Sequence, residues 1–469
     1  NAIARPDLAT EITLQPVRRY GTDAAILYSD IVTPVHAIGF GVDIAPGIGP
    51  VVEQPFRSAA DLDPYFRRAG EFVEGADVSG EVHPLCSEFV AAGRDCGFAE
   101  SDDLSAEDAD GVGLYRIAVR GGLRLSTARA YLRPAMRRAN LRVETGALAT
   151  RILFEGRRAS GIAFTRNGET FTARAKAEVI LAAGSINSPM LLQRSGVGPG
   201  AVLQKHGVPV VLVREGVGRN LQDHLCIDHL YRAHVPTLNQ QLGPWHGKVL
   251  AALRYALFRK GPLALSVNQG GGFVRTRPEL ARPNMQLYFS PVSYTRTPPG
   301  VRPLMKPDPF PGFLLSAQPC RPTSRGWIEI ASPDPSAAPA ITPNSLATDH
   351  DIAEMIEGAQ LLRRLAAMPA LRAVIESEMA PGEAIQGDEA LLADIRARAS
   401  SVFHPVSTCR MGPDADTDVV DARLNLHGCD GLRVIDASIF PTLTSGNTNA
   451  PTIMVAEKGA DLVLGKALF

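Results

Sequence analysis

Two short segments near the C-terminus carry residue types that could move a proton beside an anion. His404 stands in Ser401-Val402-Phe403-His404-Pro405-Val406-Ser407. An imidazole titrates near neutrality and can take a proton from a hydroxyl. Pro405 disfavours helical geometry at the residue before it, so the ring rides on an extended or turn segment. The chain has ten histidines, and a lone one is as readily a core residue; His224, in Gln222-Asp223-His224-Leu225, meets the same objection. Asn447-Thr448-Asn449-Ala450 runs straight into a helix with Pro451 in its first turn. Free N–H groups at a helix start stabilise an anion, such as a pyrophosphate or the N1–C2=O edge of a reduced flavin. Any capped helix offers the same. The strand end Asp436-Ala437 could add backbone N–H groups. Near the other terminus, Asp30 closes the apolar run Ala24–Tyr28, an acid delivered at the C-terminal end of a buried strand.

The elements that must position these residues follow from periodicity. A helix is expected over 1–22, helical character around Ala59–Tyr65, and helices near 84–96 and 126–139. Strands are expected in LRVETG (141–146), ATRILFEG (149–156) and SGIAFTR (160–166), as a meander. Glu178–Gly184 reads as a buried strand. Ser188 and Pro189 then read as the cap and first residue of a helix stopping at Gly196. Strand, glycine, then helix is the order of a nucleotide-binding α/β unit. Residues 226–400 differ: Pro-rich loops at 292–312, a strand at Ser324–Ile330, and helices at Asp349–Ala367 and Asp388–Ala399. The last part returns to strand (Gly431–Ile435) and helix (Pro451–Leu464). No GxGxxG turn follows a strand and opens a helix with an acid about 20 residues on. Gly196–Gly200 follows a helix, and Gly39-Phe40-Gly41 reads as a plain turn.

With 469 residues, 45% hydrophobic and 21% charged, the chain is long enough for about three domains and is neither disordered nor fibrous. Lys+Arg 48 against Asp+Glu 49 gives a net charge of -1, which argues against nucleic acid as a partner. No apolar run approaches the ~18 residues of a membrane span. The first residues lack the basic-then-apolar pattern of a signal peptide. The six cysteines form no CxxC and no metal-ligand spacing, so no metal and a cytoplasmic location are expected.

From about residue 62 to the end, the sequence resembles the glucose–methanol–choline family of flavin oxidoreductases, nearest its choline-dehydrogenase-like members. The matching stretches run in order: PYFRRA (64–69), RLSTARAYLRPA (124–135), NLRVETGALATRILFEGRRASGI (140–162), AAGSINSPMLLQRSGVG (182–198), GVGRNLQDH (216–224), GPLALSVNQGGGF (261–273), RPTSRGWIEI (321–330), HPVSTCRMG and LRVIDASIFPTLTSGNTNAPTIMVAEKGADL. The resemblance implies FAD as cofactor, with His404 and Asn447 at the two active-site positions. It implies Asp436, Ala437, Asn449 and Thr452 along the flavin, and Ala183 and Gly184 by the adenine. The implied chemistry is oxidation of a small-molecule alcohol by hydride transfer to flavin N5, with an electron acceptor left unidentified. Gln269-Gly270-Gly271 supplies no carboxylate for a quaternary ammonium group, so choline is not assigned.

Residues 1–61 depart from that pattern. The stretch from Arg5 to Leu62 is similar to uroporphyrinogen decarboxylase, a (β/α)₈-barrel enzyme, and Asp30 corresponds to its essential aspartate. Its arginine-bearing segment, tyrosine and histidine have no counterpart. The expected fold is therefore α/β: an incomplete FAD-binding Rossmann-like domain with an inserted substrate-binding sheet-and-helix domain, preceded by a barrel fragment. The expected parts are 1–61 (decarboxylase-like), 62–225 (flavin-binding, without its first βαβ unit), 226–400 (substrate-binding) and 401–469 (return to the flavin domain). The alternatives to an alcohol oxidoreductase are a cofactor-free uroporphyrinogen decarboxylase acting through Asp30, or a fusion product without activity.

Overall fold

Residues 285–290 read Met-Gln-Leu-Tyr-Phe-Ser, and 313–318 read Phe-Leu-Leu-Ser-Ala-Gln. A strand sends alternate side chains to opposite faces. Such strands must therefore bury an apolar face on one side and a polar one on the other. The computed structural model of the chain describes residues 42–45, 49–52, 59–73, 75–105, 109–295 and 306–465. They fall into two compact units, one of the described residues up to Arg68 with those from Glu457 onward, the other Ala69–Ala456.

In chain order the elements used below are α1 (Ala59–Val73), α2 (Leu85–Asp95), β1 (Gly111–Leu114), β2 (Leu148–Glu155), β3 (Arg158–Arg166), β4 (Glu169–Arg174) and β5 (Val179–Leu181). Then come α3 (Gly184–Arg194), β6 (Leu225–Ala233), β7 (Gly270–Val274), β8 (Met285–Ser290) and β9 (Gly312–Pro319). The last are α4 (Asp349–Ala367), β10 (Ile375–Ala380), α5 (Asp388–Arg398), β11 (Leu432–Val434) and α6 (Asn449–Val463). In the first unit, Arg68 reaches Asp461 at 3.0 Å and Glu457 at 3.5 Å.

The second unit is built on an antiparallel sheet in the order β10-β6-β9-β8-β7-β1. One face packs on α2, α4 and α5. There Ile227, Tyr231, Met285, Leu287, Phe289, Phe313 and Leu315 meet Phe89, Met355, Leu362, Leu365 and Ile395, all buried. Thr348 caps α4, its side chain accepting from the Asp351 N–H, and Asp349 and Asp351 sit in the first turn where the helix dipole favours acids. The opposite face carries Gln286, Tyr288 and Gln318, the alternate residues of β8 and β9, also buried. β2, β3 and β4 form an antiparallel meander, and β5 pairs in parallel with β11.

The helices at 349–367 and 388–398 and the strands around 179–181, 327–329 and 432–434 lie where periodicity puts them. Other expectations need correction. Residues 126–139 hold only a wide helical turn, Ala128–Leu132, and a short helical piece, Arg133–Ala135. Pro134 cannot donate to the carbonyl four residues back, so that bond is missing, and the last helical bond is from the Met136 N–H to the Leu132 carbonyl at 2.9 Å. Residues 141–146 form no strand; the meander instead takes its third strand from Glu169–Arg174. The helix expected from Ser188 begins at Gly184, leaving Pro189 inside it. The Ser185 carbonyl, which Pro189 cannot satisfy, accepts the Thr408 hydroxyl at 2.6 Å. The expected elements of 1–22 and 24–28, and with them Asp30, lie outside the described residues. Among those described, no helix is long and apolar enough to cross a membrane.

His229 on β6 faces the apolar core fully buried, and neither ring nitrogen has a hydrogen-bond partner. Burial, then the nearby Arg398 and Arg363 charges, push its pKa down to about 3. An unsatisfied buried polar group costs about 1–3 kcal/mol. The unfolded chain binds a proton here near pH 6.5 and the folded chain does not, so this group removes stability as pH falls from about 6.5 toward 3. His229→Leu is expected to raise the unfolding midpoint at pH 7 and to flatten its decline toward pH 5. Thermal unfolding at the two pH values checks this; an unchanged midpoint and slope would refute it.

Candidate active site

Pro405 and two left-handed residues shape the loop that presents His404. Phe403 has φ 64° and Ser407 φ 72°, a region that side chains other than glycine seldom occupy. Such strain persists where the surroundings over-determine it. Here the surroundings are Gln222-Asp223-His224. The Val406 N–H donates to the Gln222 carbonyl at 2.9 Å. The Asp223 carboxylate accepts the His404 N–H at 2.8 Å and also the Ser401 hydroxyl. The Gln222 side chain accepts the Leu443 N–H at 3.1 Å and donates to the Pro322 carbonyl at 2.8 Å. His224 meets the His404 ring edge-on, with the two Nδ1 atoms 3.0 Å apart, and its Nε2 lies 3.1 Å from the Cys320 carbonyl.

On its other side His404 faces the polar surface of the sheet. Its Nε2 is 3.0 Å from Asn447 Nδ2. The orientation of that amide follows from a fixed point. The Tyr115 hydroxyl donates to the Leu287 carbonyl at 2.8 Å, so its oxygen accepts, from Gln286 Nε2 at 3.1 Å. The same Nε2 donates to Asn447 Oδ1 at 3.2 Å, while Gln318 Nε2 donates to Gln286 Oε1 at 2.8 Å. Asn447 must then turn its N–H to His404, and His404 Nε2 must accept. Gly271 permits the Tyr115 ring to sit here: a Cβ on it would lie 2.2 Å from Tyr115 Cε2. Burial pushes the phenols of Tyr115 and Tyr288 upward, so both stay protonated donors. Burial also lowers His404 and His224 to about 4 each, leaving both rings neutral at pH 7.

The residues expected to hold a cofactor form two groups. Ala183, Gly184, Asp436 and Ala437 meet where β5 and β11 end. The Asp436 carboxylate accepts the Gly184 N–H at 2.9 Å, the Ser188 hydroxyl at 2.5 Å and the Ser438 N–H at 2.8 Å. It therefore shapes the turn into α3 with both oxygens engaged by its own chain. Gly184 has φ +81°, and a Cβ built on it meets nothing within 4 Å. The hydroxyls of Ser185, Ser407 and Ser438 are buried without a partner. An open glycine just after β5 and orphaned buried hydroxyls leave room and hydrogen-bonding groups for a dinucleotide, so the residues present fit FAD. Asn449 opens α6 two residues after Asn447. Thr452 lies a turn further on, its hydroxyl donating to the Thr448 carbonyl at 2.6 Å.

Asn447 and Tyr288 open onto a cleft of about 560 Å³ whose walls include Tyr115, Tyr255, Arg116 and Arg124; no carboxylate is among its described lining residues. Sequence reasoning noticed His224 without a role and missed Tyr115, Gln286, Tyr288 and Gln318. The available signal was alternation: an amide and a phenol recur opposite the apolar residues of a strand with no exposed face.

Family models described as GMC oxidoreductase match residues 52–226 and 322–456, and one described as uroporphyrinogen decarboxylase matches residues 1–72. An oxygen-dependent choline dehydrogenase of Photobacterium profundum is 38% identical over 423 residues, covering 86% of this chain and 72% of that protein. The mitochondrial choline dehydrogenase of Homo sapiens is 38% identical over 420 residues, 86% of this chain and 69% of that one. The crystal structure of pyridoxine 4-oxidase from Mesorbium loti aligns with TM-score 0.71 at 28% identity, covering 82% of this chain and 70% of that one. Formate oxidase aligns with TM-score 0.75 at 23% identity, over 83% and 71%.

Histidine-selective NMR is expected to find His404 and His224 uncharged from pH 8 down to 6, with protonation only near pH 4. Their folded values lie below the unfolded 6.5, so both remove stability as pH falls through that interval. A titration of either ring near 6.5 in the folded chain would contradict the geometry.

Proposed function

The chain belongs to the GMC oxidoreductase family and is an FAD-dependent alcohol oxidoreductase, and from this premise we propose that His404 Nε2 accepts the substrate hydroxyl proton while Asn447 Nδ2 donates to the substrate oxygen. The observation that carries this reading is their pairing at 3.0 Å, the His404 lone pair meeting the N–H of Asn447, which lines a cleft. An alcohol group that replaces this bond can engage both partners: its proton goes to the lone pair, and its oxygen takes the N–H. His404 is neutral at pH 7 and ready to accept; Asn447 keeps the oxygen in register as negative charge grows on it. Bound FAD supplies the hydride acceptor. Ala183, Gly184, Ala437, Asn449 and Thr452 are the residues assigned to hold it, with Asp436 shaping the Gly184 turn through its carboxylate.

In the finer architecture proposed here, β5, β11 and α3 belong to a Rossmann-like flavin-binding domain over 62–225 and 401–469. The antiparallel sheet and its helices over 226–400 make the inserted substrate-binding domain. Residues 1–61 are proposed as a fragment of a (β/α)₈ barrel, and 1–72 is all that supports the decarboxylase alternative.

Arg116 and Arg124 on the cleft, with no carboxylate among its described lining, favour a neutral or anionic alcohol over a quaternary ammonium one. With FAD supplied, the purified chain is expected to show a flavin band near about 450 nm that an alcohol bleaches without oxygen. His404→Ala should slow that bleaching by about 10²–10⁴-fold. The uncharged isostere 3,3-dimethylbutan-1-ol should give a kcat/KM at least equal to that of choline. Bleaching by choline alone would refute the charge argument, and a His404→Ala protein as fast as the parent would refute the assignment of the base.

A further inference from the structure

We propose that His224 is a positioning residue that holds the proton of His404 on Nδ1 and so leaves Nε2 as a lone pair toward Asn447. The proposal rests on the reading of His404 as base, but it concerns what sets that base's tautomer.

The argument starts from a group with no choice. The Cys320 carbonyl can only accept, and His224 Nε2 lies 3.1 Å from it, so Nε2 of His224 carries the proton. In the neutral ring, Nδ1 of His224 is then a lone pair. It faces His404 Nδ1 at 3.0 Å, and that atom must therefore carry a proton. What remains on His404 is a lone pair at Nε2. The Leu287 carbonyl, acting through Tyr115, Gln286 and Asn447, demands the same lone pair from the opposite side. The reverse tautomer of His404 would set two lone pairs against each other at 3.0 Å and two N–H groups against each other at 3.0 Å.

His224 is fully buried and His404 is 9% exposed, so solvent does not substitute for either partner. In hydrolase triads a carboxylate orients the histidine and stabilises its charged form. Here a neutral imidazole supplies the orientation alone. When His404 takes a proton on Nε2, its Nδ1–H bond to His224 becomes charge-assisted. His224 already carries its own proton on Nε2 and has only that one lone pair to offer.

The test reads the tautomers directly. In the full chain labelled with ¹⁵N-histidine, His404 should show a protonated Nδ1 and a bare Nε2, His224 the reverse, with a scalar coupling between the two Nδ1 atoms. His404→Gln and His224→Gln assign the signals. His224→Leu removes the acceptor, and His404 should then populate its Nε2–H form. His224→Gln keeps the polarity, with its carbonyl accepting from His404 and its amide donating to Cys320, and should restore the parental tautomer. On FAD-loaded protein, His224→Leu should lower kcat by about 10²-fold with KM little changed, and His224→Gln should recover most of it. A proton on Nε2 of His404 in the parent, or the parental tautomer unchanged in a folded His224→Leu, overturns the proposal. If His224→Leu does not fold, the parent and His224→Gln spectra decide. A parent with these tautomers and no flavin reduction overturns the proposed function while supporting this assignment.

Discussion

A backbone carbonyl has lone pairs and no proton, and two such carbonyls fix the chemistry of this site. Leu287 O and Cys320 O stand at opposite ends of a run of side chains: half-buried Tyr115, buried Gln286, exposed Asn447, and buried His404 and His224. Every member can donate and accept, so each alone could face either way. Anchored at both ends by groups that only accept, the run has one satisfied arrangement. Both ends lead to the same atom, His404 Nε2, as a proton acceptor. At the His224–His404 contact, where both rings are buried, the alternative is costly because an unpaired donor or acceptor there has no water to turn to.

The rest of the second unit serves that arrangement. The sheet buries an apolar face against α2, α4 and α5, which holds it rigid, and leaves Gln286, Tyr288 and Gln318 on the other face. Gln222-Asp223-His224 then fastens the strained loop of His404 to the sheet from the far side, by backbone, by carboxylate and by ring. The Thr408 hydroxyl ties the same loop to the Ser185 carbonyl that Pro189 leaves free at the start of α3. The proton-accepting site and the open Gly184 turn are thus linked through one stretch of chain, which suits an enzyme that must hold a cofactor and a substrate in mutual register.

Much of this was legible residue by residue. The helix at 349–367 follows from its Thr348 cap and its periodicity, and the one at 388–398 from acids in its first turn and arginines in its last, because those signals are local. The motifs and Pro405 single out His404 and Asn447 in the sequence, and the fold sets their side chains 3.0 Å apart. What escaped is non-local. β8 and β9, at the centre of the large sheet, are buried on both faces, so no exposed side betrays their period. α3 begins five residues before its proline, and Thr408, some 220 residues away, satisfies the orphaned carbonyl. His224 looked like any other histidine, since its meaning lies in a contact with a residue 180 positions distant.

The sequence by itself determined which groups could react: an imidazole before a proline, an asparagine at a helix start, a glycine after a buried strand. It determined the family as well, because ordered motifs are a property of the string of residues. Only the tertiary structure decided which nitrogen of His404 accepts a proton, which way the Asn447 amide turns, and that Asp436 shapes a turn with both its oxygens. Those outcomes depend on hydrogen-bond direction, and direction is set by distant carbonyls that the fold brings within 3.1 Å.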